Sequence, residues 1–66
     1  MKLKFVKNVT VDIRDQHDNT DEKSIRSGSE IDVVEVVPIS GGFSDILLAS
    51  EECLVCVRND SFRRLV

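Results

Sequence analysis

Apolar residues recur along much of this chain at every second position, the period of a strand half buried against a core. From Lys2 to Ile13, Leu3, Phe5, Val9, Val11 and Ile13 fall on one parity, with Lys2, Lys4, Asn8, Thr10 and Asp12 on the other. Val6 and Lys7 break the alternation, so the segment reads as one strand bulged near Val6–Asn8 or as two shorter strands. Its β-branched content and the lack of a 3.6-residue repeat argue against a helix.

The stretch that organises the rest is Ser24–Ile39, where a turn at Ser27-Gly28-Ser29 leads into a run rich in β-branched residues. Ile31, Val33, Val37 and Ile39 share one parity, while Val34 and Val36 sit on the other. A strand apolar on both sides is either covered on both faces or kinked so that its inward face switches. The change near Val33–Val34 therefore predicts the bend of a small barrel or, failing that, a second face awaiting a partner. Pro38 has no N–H to give to a ladder and marks a strand end or an exposed edge.

Two hairpins are predicted next. Ser40-Gly41-Gly42 turns into Phe43–Ala49, and Ser50-Glu51-Glu52 turns into Cys53–Arg58. Asn59-Asp60-Ser61 reads as a tight or helical turn, returning the chain to a last strand at Arg64–Val66 with Phe62 tucked beneath it. Arg14–Ser24 holds eleven residues and no large apolar side chain, and is expected to be a solvated acidic loop. The fold class expected is all-β: one domain over residues 1–66, a small five-stranded antiparallel, strongly bent sheet or barrel with a long acidic loop after the first strand. A glycine turn before an alternating strand, Gly28-Ser29-Glu30-Ile31-Asp32-Val33, followed by two hairpins and a short helical turn, resembles the Src-homology-type (SH3-like) small β-barrel superfamily. The resemblance implies a small barrel and transfers no functional residue. Peptide-binding members dock proline-rich ligands on surfaces dense in Tyr and Trp, and this chain has neither.

Composition narrows the functional classes. At 66 residues the chain is near the lower limit for folding without staples, burying only about 60% of its unfolded surface. The Met start, with no signal h-region and no apolar run of about 18 residues, leads to the expectation of a cytoplasmic protein with no membrane association. The sequons Asn8-Val9-Thr10 and Asn59-Asp60-Ser61 are accordingly taken as chance. Two cysteines make no disulfide framework and fit a reducing compartment.

Candidate chemistry is sparse. Cys53-Leu54-Val55-Cys56 has the spacing of half a zinc site, but a second Cys/His pair is missing. A redox CxxC opens a helix that lowers its thiol pKa, whereas this one falls in a predicted strand, with the thiols expected on opposite faces. It reads as core or semi-exposed thiols. His17 lies among Asp15, Asp18, Asp21 and Glu22, yet the aspartates fall at every third residue with no glycine, unlike a calcium loop. No catalytic residue, metal or cofactor is assigned, and the protein is expected not to be an enzyme.

Charge is unevenly placed. Residues 1–14 carry +3, residues 15–52 carry −8 and residues 53–66 carry +2. If the first and last strands lie side by side, Lys2, Lys4, Lys7, Arg58, Arg63 and Arg64 form one basic flank opposite an acidic loop of Asp15, Asp18, Asp21 and Glu22. Three functions follow in order of preference. The first is a protein-interaction module or regulator, in the manner of a small bacterial or phage accessory protein, using a partner or self-association through Val34, Val36 and Phe43. The second is nucleic-acid binding through the basic flank, which the sequence pI of 4.9 and only three Phe disfavour. The third is an acidic mimic of nucleic acid, presenting Asp15, Asp18, Asp21, Glu22, Glu30, Asp32 and Glu35.

Overall fold

The computed structural model describes residues 1–65. Seven strands run through it: β1 Lys2–Phe5, β2 Val9–Arg14, β3 Thr20–Ile25, β4 Glu30–Pro38, β5 Phe43–Leu48, β6 Cys53–Arg58 and β7 Phe62–Leu65. Single 3-10 turns at Ser40–Gly42 and Asn59–Ser61 precede β5 and β7. All pairings are antiparallel, in the order β3-β2-β6-β5-β4-β1-β7, and the sheet is unclosed, with β3 and β7 at its edges.

The first alternating segment resolves into two strands. Val6–Asn8 separates β1 from β2, which takes β1 to β4 and β7 and β2 to β3 and β6. Hydrogen bonds from Gly28 N–H to Phe5 O (2.6 Å) and from Phe5 N–H to Ser29 O (2.8 Å) tie the glycine turn to the end of β1. Gly28 adopts φ 94, which a side chain would resist.

The expected long acidic loop is corrected here, and with it the count of five strands. Its second half is β3, paired to β2 in continuous register from Val9↔Ile25 to Arg14↔Thr20. Only Ile25 of β3 is buried, so an edge strand held by its backbone carried no apolar alternation to reveal it. What remains of the loop is a tight turn organised by Asp15. Its carboxylate accepts the N–H groups of His17 (2.8 Å) and Asn19 (2.9 Å) and the Asn19 side-chain amide (3.1 Å).

The parity change in the organising strand is a β-bulge. Val33 pairs with Leu48 and Glu35 with Leu47, leaving Val34 as the extra residue. Val34 is 61% exposed, whereas Val36 is half-buried against the core, so the two valines of one parity part company at the bend. Glu30, Ile31 and Asp32 of β4 pair with β1, and from Val33 onward the strand pairs with β5. A second bulge lies in β6, where Asp45 of β5 opposes both Val55 and Cys56. This lets Leu54 and Val57, three residues apart, both point inward.

The core comprises Leu3, Phe5, Val11, Ile25, Val33, Ile46, Leu54 and Val57, drawn from six strands, so the sheet bends around a single apolar centre. The last strand begins earlier than expected, at Phe62, which pairs with Phe5 instead of lying beneath the strand; Phe62 is half-buried, its ring 5.9 Å from that of Phe5. Of the expected last strand, Val66 lies outside the described residues.

Candidate functional site

Apolar side chains that do not pack against the core gather on the outer face of β4, β5 and β6. Side chains directly opposite on antiparallel strands share a face, so the register fixes which groups meet there. One row runs Arg14–Cys53–Leu47–Glu35 across β2, β6, β5 and β4. A second holds Asp12 opposite Val55 and Asp45 opposite Val37. A third holds Ile39, whose N–H donates to Phe43 O (2.9 Å), then Phe43 and Arg58. The Arg58 guanidinium lies 6.0 Å from the Phe43 ring centroid.

Phe43, Leu47 and Val55 are half-buried, but they are not among the side chains that pack against the core. Val37 and Ile39 are 43% and 39% exposed. The register places these five groups on the outside of the sheet. In their midst Asp45 accepts the Cys56 N–H (3.0 Å) and holds the β6 bulge, where Cys56 takes φ 57. Both thiols lie away from the core rather than on opposite faces, because the bulge resets the parity between them. Cys53 is half-buried and Cys56 exposed, and both are free. Burial, then the Asp45 charge, pushes the Cys53 thiol up from its ordinary value.

Of the residues singled out for interaction, Phe43 lies on this face, Val34 stands out at the β4 bulge and Val36 turns to the core. Val37 and Ile39, grouped by parity with Ile31 and Val33, were not assigned to interaction, and neither were Leu47 and Val55. The available signal was the uninterrupted apolar run Cys53–Val57 beside Ile46-Leu47-Leu48, too continuous for one face of a strand.

The first and last strands do lie side by side, with Lys4 opposite Arg63 and Leu3 opposite Arg64. The basic flank they form is interrupted by acid. Lys2 reaches Asp32 (3.9 Å), and Asp60 binds both Lys7 (3.0 Å) and Arg58 (3.4 Å). Glu30 stands opposite Lys4 on the β4 side. Those contacts, Lys7 first, hold the Asp60 carboxyl below its ordinary value. The acidic group is likewise dispersed. Asp15 is engaged by its turn, Asp18 takes φ 63 at the tip, and Asp21 and Glu22 belong to β3, with Glu22 opposite Asp12. Among the described residues no pocket opens, and no three His, Cys, Asp or Glu side chains converge as metal ligands. No helix there is long and apolar enough to cross a membrane. The chain matches no protein-family model, and comparison with curated proteins and with solved structures finds no match.

Proposed function

We propose that this chain is a non-enzymatic, SH3-like small β-barrel that serves as a protein-interaction module through the outer face of β4, β5 and β6. The observation that carries the reading is the apolar set Val37, Ile39, Phe43, Leu47 and Val55, gathered on one side of the sheet and unused by the core. Apolar side chains grouped on a surface and rimmed by charge are the usual mark of a protein-binding site. Arg14, Arg58, Asp12 and Glu35 supply that rim. The barrel reading draws support from the adjacency of β1 and β7, the long β2–β3 hairpin and the 3-10 turn before the last strand. Two free thiols suit a reducing cytoplasm, and an accessory role in a bacterium or phage remains our proposed setting.

Nucleic-acid binding has less support, since three of the six flank cations already contact Asp32 or Asp60. The acidic mimic has less again, with Asp15 consumed by its turn. The test compares affinity capture from host cells by the wild type, by Leu47→Asp within the apolar set and by Val34→Asp outside that set. Capture should be abolished by the first change and kept by the second, with circular dichroism confirming the fold of each. Equal capture by a folded Leu47→Asp variant would refute the assignment.

A further inference from the structure

We propose that the occupant of this outer face is a second copy of the chain, packed face to face about a twofold axis parallel to the strands between β5 and β6. The inference rests on the interaction reading above and commits it to one partner.

The row Arg14–Cys53–Leu47–Glu35 carries opposite charges at its two ends. Arg14 and Glu35 are both exposed, sit at opposite ends of the row and make no ion pair among the described residues. Three strand spacings of ~4.8 Å keep them about 14 Å apart, too far to meet within one chain. A twofold axis along the strands exchanges the two ends of the row. Arg14 of each copy then meets Glu35 of the other, and Cys53 meets Leu47, so each contact is made twice, as an isologous interface requires. The same operation carries Arg58 toward Phe43 of the second copy, extending the cation–aromatic contact already made within each chain. Asp45 enters this interface with the Cys56 N–H already bound, which lessens the cost of covering a carboxylate.

The sheet edges are poorer places for self-pairing. β3 carries Asp21, Glu22 and Lys23, and β7 carries Arg63 and Arg64, charges that oppose strand addition. Aligned face-to-face packing is instead an ordinary arrangement for two sheets. Four strands by six residues offer a footprint of roughly 20 by 20 Å, which puts the interface at the small, readily dissociating end of the range.

The experiment is sedimentation equilibrium at low salt, from about 10 μM to about 1 mM, on the wild type, Arg14→Glu, Glu35→Arg and the double variant. The wild type should show a concentration-dependent monomer–dimer equilibrium. Each single charge reversal should weaken it by about tenfold, two attractions becoming two repulsions. The double variant should return to within about threefold of wild type, because the exchanged charges meet again. Both sites of change are exposed, and melting curves check that each variant is folded. A strict monomer throughout the range overturns the proposal, as does a double variant no tighter than the singles. The Leu47→Asp capture experiment separates the two readings: loss of a cellular partner in a strictly monomeric protein removes the self-pairing and leaves the interaction face standing.

Discussion

Cys56 occupies the left-handed region at φ 57, where a Cβ crowds the following carbonyl. It stays there because the bulge lets Leu54 and Val57 both reach the core and because Asp45 accepts its N–H. Glycine would relieve the crowding while losing more freedom on folding, so the gain is only partial. Cys56→Gly is expected to stabilise the fold by about 0.5–1 kcal/mol, read as a higher urea midpoint at unchanged slope. A midpoint at or below that of the wild type would mean the position is not strained. Neither the bulge nor the strain was visible in CLVCV, since a five-residue apolar run does not say which of its members faces outward.

For elements, the informative comparison is within β4. In a straight strand Val34 and Val36 lie on one face and tolerate the same substitutions. The bulge separates them, placing Val34 in solvent and Val36 against the core. Val34→Asp should then change stability by less than about 0.5 kcal/mol, whereas Val36→Asp should cost about 2 kcal/mol or more by pressing a carboxylate toward the core. Equal costs, measured by chemical denaturation, would rule out the bulge. The parity switch was legible as a conflict between two sets of valines at Val33–Val34. Its resolution was not, because covering both faces satisfies the same pattern as a bend. β3 was illegible for the opposite reason: Thr20–Ser24 contains no apolar residue, and its strand conformation comes from hydrogen bonds to β2.

On the scale of the whole molecule, charge sets the response to acid. Hydrogen bonds from Asn19, with a smaller contribution from His17, hold the Asp15 carboxyl below its ordinary value of 3.8, and Lys7 and Arg58 do the same for Asp60. A depressed native pKa means that the unfolded chain binds the proton first as pH falls. The stability these groups contribute is complete above 3.8 and is lost as pH drops through their lower native values. Thermal midpoints should therefore be flat with respect to these groups near neutrality and fall below that value. Asp60→Asn should lower the midpoint at neutral pH and shrink the acid-induced decline. A decline of the same size in Asp60→Asn would show that other carboxylates govern it. Asp60 joins the break after β1 to the end of β6, so its titration reports on contacts between distant parts of the chain.

By itself the sequence determined the all-β class, the glycine turn at Gly28, the hairpins at Ser40–Gly42 and Ser50–Glu52, the short turn at Asn59–Ser61 and the parity break at Val33–Val34. Each is written in a local signal: a period of two, a turn residue, a break in parity. The tertiary structure alone decided that Arg14–Ser24 closes into a hairpin, that Asp60 and Asp32 draw off half of the basic flank, and that Leu47 and Val55 turn outward beside Phe43. Those outcomes depend on which strands become neighbours and in what register. Backbone pairing and the meeting of side chains across strands are non-local, and no pattern along one strand records the partner that it will find.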